Sequence, residues 1–314
     1  MVDGGREGRE SAACLYRSRS AGLPTRSTLH ALRSTLHLHP ESRIRLDEPL
    51  GKKTTFGVGG TADIWMEIGS VADLARVVKH ANKRKIPFRL LGSDGGARGI
   101  TARLKGGEFG GIRIEDERVV AGAGVPLARL LAALERRGLA GLEFLEGIPG
   151  TVGGAVRMNA GAWGGEIGNH VEWIRCVDAG GGIRRRRRPS FGYRSGPAEI
   201  AIVEVSLAVR RGAAGAIRAA RARIAAKRTW MKGLHCAGSV FKNPAGDYAG
   251  RLIEKCGLKG APAGGATISR RHANVIVASK GARASDVLAL MEQARMAVKE
   301  KFGIELENEV QVIE

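Results

Sequence analysis

The stretch Gly-Ile-Pro-Gly-Thr-Val-Gly-Gly-Ala at residues 147–155 combines many glycines with one proline, and it continues as Val-Arg-Met-Asn-Ala-Gly-Ala at 156–162. So many glycines are costly in backbone entropy, and a loop accepts that cost when its N–H groups must line a concave anion site. Tight turns between strands are the alternative interpretation. The stretch is not a Walker loop, because no Gly-Lys-Ser/Thr follows, and its spacing differs from the GxGxxG of a dinucleotide-binding unit.

A second unusual stretch reads Gly-Ser-Val-Phe-Lys-Asn-Pro at residues 238–244. It offers a hydroxyl, an ammonium and an amide within a few residues of one another. Proton transfer needs a positioned donor, and a cation can stabilise the negative charge that develops during the reaction. Together the two stretches indicate an enzyme that holds a phosphorylated cofactor and protonates a substrate.

Hydrophobic periodicity around these stretches predicts mixed helices and strands in both halves of the chain, which is an α+β fold class. Ser70 is a good N-cap for a helix with an apolar face, and a second amphipathic helix runs from Leu127 and stops near Gly138. The Arg184–Arg188 run between glycines and Pro189 predicts an exposed hairpin. The pattern predicts strands at 62–68, 86–91, 173–177, 200–209 and 274–278, and further helices around 217–224, 248–256 and 285–302.

Composition divides the chain into three parts. Residues 1–42 include an acid-free stretch rich in Arg and Ser, which predicts a disordered extension or a wrongly assigned start rather than a transit peptide. A composition shift at 211–215 predicts a boundary between a domain at 43–211, built of two α/β lobes, and a smaller domain at 212–314.

The totals restrict the class of protein. The 314 residues are 43% apolar, contain no uninterrupted apolar run long enough to span a membrane, and begin without a recognisable secretory signal. Four scattered cysteines without a CxxC pair favour reduced thiols and a cytoplasmic protein, and give no support for a metal site. The net charge of +20 suits anionic ligands; nucleic acid is the less favoured partner because no basic stripe alternates with aromatic residues.

Seven stretches stand in order along the chain: Thr54–Asp63, Gly141–Gly154, Met158–Ala162, Phe191–Arg194, Ala237–Pro244, Ser269–Asn274 and Leu306–Val310. Together they resemble the UDP-N-acetylenolpyruvoylglucosamine reductase family, and the similarity covers residues 46–314. The short separation of Arg194 from Ser239 resembles the subgroup that lacks an extra tyrosine-bearing loop. The resemblance implies a vanillyl-alcohol-oxidase-type FAD-binding fold followed by a smaller α+β substrate-binding domain.

The resemblance implies an NADPH-dependent flavoprotein that reduces UDP-N-acetylglucosamine enolpyruvate to UDP-N-acetylmuramate through bound FAD. That oxidoreductase acts in peptidoglycan precursor synthesis in the cytoplasm, and so serves cell wall biogenesis, cell shape and cell division. It implies a nucleotide-sugar substrate, no nucleic acid and no membrane insertion. Catalysis is expected from Arg194, whose guanidinium can grip a carboxylate, from Ser239 as proton donor, and from Glu309 as the carboxylate that orients or stabilises the enolic intermediate.

The resemblance also implies binding residues. Tyr193 is expected beside the flavin or substrate, and Lys242 and Asn243 at the diphosphate or uridine end of the substrate. The cofactor-binding residues expected from the matching motifs are Thr55, Gly59, Gly60, Gly147, Ile148, Pro149, Gly150, Thr151, Gly153, Gly154, Asn159, Ala160 and Gly161.

The chain departs from the family pattern after the second predicted strand. Members usually carry a Gly-x-Gly-Ser-Asn stretch there, whereas Leu90-Leu91-Gly92 runs directly into Ser93-Asp94-Gly95-Gly96. This is an apparent deletion in the first of two loops that hold the FAD pyrophosphate. The alternative hypothesis is therefore a catalytically impaired, FAD-poor remnant of the same fold.

Overall fold

The computed structural model of the chain describes residues 14–16, 36–39, 42–91, 99–199 and 201–313. Its helices are α1 Val71–Lys83, α2 Leu127–Arg136, α3 Val152–Arg157, α4 Ala214–Arg228, α5 Ala249–Lys255 and α6 Ala284–Phe302. Its strands are β1 Cys14–Tyr16, β2 Arg43–Pro49, β3 Thr61–Ile68, β4 Phe88–Leu90, β5 Ile100–Leu104, β6 Ile112–Glu115, β7 Arg118–Gly122, β8 Leu139–Ala140, β9 Gly161–Ala162, β10 Gly165–Glu166, β11 Val171–Val177, β12 Ile183–Arg187, β13 Ala201–Ala208, β14 Arg210–Arg211, β15 Pro262–Ala263, β16 Ala266–Ile268, β17 Ile276–Ala278 and β18 Gln311–Ile313.

A strand–helix–strand unit organises the first sheet, whose order is β2-β3-β5-β4. Ser70 caps α1, because its Oγ accepts a hydrogen bond from the Asp73 N–H at 3.1 Å. The predicted strand at 86–91 is shorter than expected, because Pro87 has no N–H and Ile86 donates instead to Ala81 O near the end of α1. The face of α1 predicted to be apolar is buried: Val71, Leu74, Val77, Val78 and Ala81.

The second sheet is antiparallel, in the order β12-β11-β13-β7-β6. Its edge strand β12 carries the arginine run and is exposed along its whole length, as the sequence predicted. Arg184 Nε lies 2.5 Å from Asp178 Oδ2, and the Arg185 guanidinium carbon lies 3.8 Å from the centroid of the Trp173 ring. A charged edge of this kind discourages pairing with strands of other molecules.

Two clusters of buried apolar residues form two cores. The first is a single core that joins both sheets with α1, α2 and α3, and the division of this domain into two α/β lobes stays a prediction. The second lies in the chain beyond residue 239, where α6 packs on the antiparallel sheet β15-β16-β17. Phe56 and Val58 also join this second core, although they precede β3 in sequence. The link between the two halves is therefore made early in the chain as well as at the predicted boundary.

Helix α4 contacts the first domain through charged side chains. Arg218 Nε lies 2.9 Å from Glu135 Oε1, and Arg221 Nε lies 2.6 Å from Glu146 Oε2. Both carboxylates belong to the first domain, on α2 and shortly before α3. Because α4 is bonded to that domain, we propose that the domain boundary follows Arg228 rather than residue 211. A shift in composition does not reveal which part of the protein a helix packs against.

Part of the predicted extension is packed on the fold. Leu36 is 4% exposed and joins the first core, and the His39 N–H donates to Asp73 Oδ2 at 3.0 Å. Strand β1 pairs in parallel with β18. These contacts correct the predicted disorder at 14–16 and 36–39. No sign of them is visible in the sequence, because one buried leucine and one hydrogen bond to the Asp73 carboxylate do not produce a periodic apolar pattern. The other residues of 1–35, together with 40–41, lie outside the described residues.

The predicted deletion in the first pyrophosphate loop falls on residues 92–98, which lie outside the described residues. Across the ranges that the structure does describe, none of the helices has the length and apolar character needed to cross a membrane.

Candidate active site

A cleft of about 1070 Å³ is lined by residues of both domains. The first domain contributes the glycine-rich loop at 146–151 and the segment 160–163. The second contributes 236–239 and 309–311, and the end of α4 with the turn that follows it closes a further side. The volume exceeds the usual range of about 300–1000 Å³ for a single small ligand, so the cleft has room for a large cofactor and a substrate.

Arg194 is held in the cleft from both domains. It lies in a tight turn in which Gly192 and Ser195 exchange backbone hydrogen bonds, and its φ of +52° is in the left-handed region. Arg194 Nε donates to Glu309 Oε1 at 2.8 Å, and Nη2 donates to Gly161 O at 3.0 Å. A non-glycine residue in this region is strained, and residues with such strain cluster at functional sites.

Ser239 and Glu309 reach the same cleft because their backbones lie on neighbouring extended segments. Ser239 pairs with Val275 on one side, and Phe241 pairs with Asn308 on the other. The Glu309 N–H donates to Val240 O at 2.9 Å. The three predicted catalytic residues therefore all line one cleft, although they are far apart in sequence.

Glu309 is set up to hold a proton more readily than an ordinary glutamate. Burial raises the pKa of its carboxyl, and the nearby cations of Arg194 and Lys242 only partly oppose this effect. Burial acts in this direction because it disfavours the charged form of a carboxyl group. A carboxyl group with a raised pKa beside a fixed guanidinium suits the stabilisation of an enolic intermediate, the role implied for Glu309.

Asn274 is a positioning residue that sequence reasoning left without a role. Its side chain is 1% exposed, and it bonds both backbone groups of Phe241: Nδ2 donates to the carbonyl at 2.8 Å, and Oδ1 accepts from the N–H at 3.0 Å. These bonds fix the segment that carries Ser239. The sequence did contain a signal, because Asn274 directly precedes the apolar run Val275–Ala278. An amide next to a buried strand is itself expected to be buried, and a buried amide needs hydrogen-bond partners.

Replacing Asn274 with alanine is expected to lower the free energy of unfolding by about 2–4 kcal/mol, because two buried backbone groups of Phe241 lose their partner. Urea unfolding of the variant and the parent measures this. Asn82→Ala is the matched control, because Asn82 is exposed on α1 and its loss should change stability little. Equal stabilities of the Asn274→Ala variant and the parent would show that Asn274 is dispensable for the segment.

The predicted cofactor-binding residues divide into two groups. Gly153 and Asn159 hold the loop in shape: the Gly153 N–H donates to Ala123 O at 2.9 Å, and Asn159 Nδ2 donates to Gly192 O at 2.9 Å. Neither lines the cleft, and Gly59 and Gly60 do not line it either. The density of glycines predicted a loop but not the direction of its N–H groups. Several of these groups, such as those of Ile148, Val152 and Gly153, donate to carbonyl groups of the protein itself. The residues of the prediction that do line the cleft are Thr55, Gly147, Ile148, Pro149, Gly150, Thr151, Gly154, Ala160 and Gly161.

The predicted substrate-binding residues lie together beside the cleft but do not line it. Lys242 Nζ is 2.5 Å from Glu307 Oε1, and Asn243 Oδ1 accepts from the Ala249 N–H at the start of α5 at 3.2 Å. Tyr193 Oη accepts from the Asn243 N–H at 3.4 Å. Lys242 Nζ, Asn243 Oδ1 and Tyr193 Oη are each bonded to the protein, and the role of these residues in binding the substrate stays a prediction.

Comparisons with known proteins identify the family of the chain. Residues 230–313 match the family model described as the UDP-N-acetylenolpyruvoylglucosamine reductase C-terminal domain, and residues 62–186 match the FAD binding domain model. UDP-N-acetylenolpyruvoylglucosamine reductase 2 of Symbiobacterium thermophilum is 41% identical over 286 residues, which are 86% of this chain and 92% of that protein. The chain belongs to the UDP-N-acetylenolpyruvoylglucosamine reductase family.

Other members of the reductase family give the same picture. The reductase of Heliobacterium modesticaldum is 41% identical over 281 residues, covering 85% of this chain and 89% of that protein. The crystal structure of the reductase from Thermus caldophilus superposes with a TM-score of 0.73 at 34% identity, over 87% of this chain and 99% of that one. The predicted α+β class, with an FAD-binding domain followed by a smaller reductase-family domain, is confirmed.

Proposed function

We propose that this protein reduces UDP-N-acetylglucosamine enolpyruvate to UDP-N-acetylmuramate with NADPH, through bound FAD. One observation carries the proposal beyond family membership. A guanidinium, a hydroxyl and a carboxyl group of raised pKa, at Arg194, Ser239 and Glu309, line one cleft whose volume suits a cofactor and a substrate together.

The residues of the cleft fit FAD. Thr55 Oγ1 is buried and has no hydrogen-bond partner among the described residues, so it is available to a ligand. The glycine-rich loop at 147–151 lines the same cleft without bulky polar side chains, which allows a large ring system or a diphosphate to approach its backbone. Thr55 and this loop would hold the cofactor, and FAD, when bound, supplies hydride transfer from NADPH to the substrate.

The protein's own side chains supply charge and a proton. Addition of hydride to the methylene carbon of the enolpyruvyl group leaves negative charge on the carbon next to the carboxylate. Arg194 carries a permanent positive charge beside Glu309, and it can stabilise that charge and the carboxylate together. Ser239 is the hydroxyl positioned to give its proton to the carbon, which completes the reduction.

The biological setting follows from the proposed reaction. Its product is a precursor of peptidoglycan, so the protein serves cell wall biogenesis and, through it, cell shape and cell division. The nucleotide-sugar substrate and NADPH are both water-soluble and anionic, which is consistent with a reaction in the cytoplasm. The +20 net charge favours the encounter with such ligands.

The test is to purify the protein, add FAD, and record the flavin spectrum before and after removal of unbound cofactor. Retained flavin, followed by consumption of NADPH beyond the amount that reduces the bound flavin only when the enolpyruvyl substrate is present, would support the proposal. UDP-N-acetylmuramate should be the product by mass spectrometry. Failure to retain flavin at saturating FAD would favour the alternative of an FAD-poor remnant with a shortened pyrophosphate loop.

A further inference from the structure

Among the described residues, the Arg228 side chain has no partner, although Arg221, the other partly buried arginine of the same helix, is paired with two carboxylates. Arg218 and Arg221 on α4 pair with Glu135, and Arg221 also pairs with Glu146. The side chain of Arg228, the last residue of α4, forms no hydrogen bond or ion pair with any residue that the structure describes, and its Nε is buried. The contrast along one helix shows that α4 is not simply a basic surface.

The side chain of Arg228 lies in the cleft, beside the glycine-rich loop. Gly147 has a φ of +73°, and a Cβ at that position would be 2.8 Å from Arg228 Cδ. The glycine therefore leaves room for the arginine to reach into the cleft that both residues line.

The cleft holds two guanidinium groups but one carboxylate that bonds to them. Glu309 bonds to Arg194, and no described carboxylate bonds to Arg228. Burial lowers the pKa of Arg228, and repulsion from the Arg194 cation lowers it further, so the two charges act on each other. An arginine stays protonated despite this, so the positive charge of Arg228 is not balanced by any carboxylate of the described residues.

A buried donor without an acceptor costs free energy, and a native protein keeps such a donor where a ligand supplies the acceptor. The guanidinium presents several N–H groups in a planar fork that matches carboxylate and phosphate oxygens. We propose that Arg228 is an oxyanion-binding residue of the cleft, taking either the diphosphate of the cofactor or an acidic group of the nucleotide sugar.

The assignment of these two ligands rests on the proposed function, but oxyanion binding does not. Arg228 lies in neither of the stretches that match the family models, which end at residue 186 and begin at residue 230. It was also not among the residues predicted from the sequence, because an arginine in an Ala/Arg-rich helix is indistinguishable there from its solvated neighbours.

Three variants separate the possibilities. Arg228→Met removes the charge and keeps the length of the side chain, and Arg228→Lys keeps the charge but loses the fork. Arg223→Met is the matched control, because Arg223 is an exposed arginine on the same helix. Thermal unfolding first establishes that each variant is folded. Dissociation constants are then measured for inorganic pyrophosphate and FAD on flavin-free protein, and for the nucleotide sugar on FAD-loaded protein.

We expect Arg228→Met to weaken one or more of these ligands by about 10- to 100-fold, with Arg228→Lys between that value and the parent. Loss confined to FAD would assign the site to the cofactor diphosphate, and loss confined to the nucleotide sugar would assign it to the substrate. Parental affinity for all three ligands, or equal loss in Arg223→Met, would overturn the inference. Parent protein that binds pyrophosphate through Arg228 but neither FAD nor the nucleotide sugar would refute the proposed function alone.

Discussion

Ser239→Ala is expected to slow reduction of the enolpyruvyl group by about 10²- to 10⁴-fold, the usual contribution of a positioned proton donor. The backbone of Ser239 pairs with Val275 and is not expected to move, because alanine keeps the same backbone hydrogen bonds. Binding of FAD and its reduction by NADPH should therefore remain at the parental rate, since neither step needs a proton on the substrate carbon.

Stopped-flow absorbance of the two half-reactions measures this difference. Ser239→Cys should retain part of the activity, because a thiol is a stronger acid than a hydroxyl and occupies nearly the same position. Ser285→Ala, at an exposed position at the start of α6, is the control for loss of a hydroxyl elsewhere in the same domain. Equal slowing of both half-reactions in Ser239→Ala would show that Ser239 supports the fold rather than the chemistry.

Local signals made much of the fold predictable. The start of α1 is determined by Ser70 and by an apolar face with helical spacing, and both are visible within a few residues. The end of α6 at Gly303, which has a φ of +68°, is determined in the same local way. The packing of α4 was not predictable, because its partners Glu135 and Glu146 lie far away in sequence and carboxylates give no hydrophobic pattern.

The candidate site divides along the same line. The resemblance pointed to Arg194, Ser239 and Glu309, and the structure places all three in one cleft. It did not reveal that Asn159 is turned away from the cleft to hold Gly192, since the density of polar and small residues in a loop does not give the direction of a side chain. Long-range backbone pairing, which brings Ser239 to Glu309, has no signature in either segment alone.

Arg194→Lys is expected to lower turnover of the enolpyruvyl substrate by about 10²- to 10³-fold while the protein stays folded, the loss typical of removing a donor that stabilises developing charge. Lysine keeps the positive charge, but one ammonium on a flexible stem cannot reproduce a planar group that bonds Glu309 at 2.8 Å and Gly161 O at 3.0 Å at once. The charge would then lie off the position where the carboxylate and the developing carbanion need it. Steady-state turnover and thermal unfolding measure the two parts of the prediction, and Arg113→Lys, in an exposed pair with Glu204, is the control for the same substitution away from the cleft.

Arg194→Gln extends the test to pH, because the Arg194 cation opposes the effect of burial, which raises the pKa of Glu309. With the cation removed, that pKa should rise further, so the residual activity that depends on protonated Glu309 should persist to a higher pH than in the parent as the pH is raised. Near-parental turnover in Arg194→Lys, or an unchanged pH profile in Arg194→Gln, would remove Arg194 from the chemistry and leave it a structural link between the two domains.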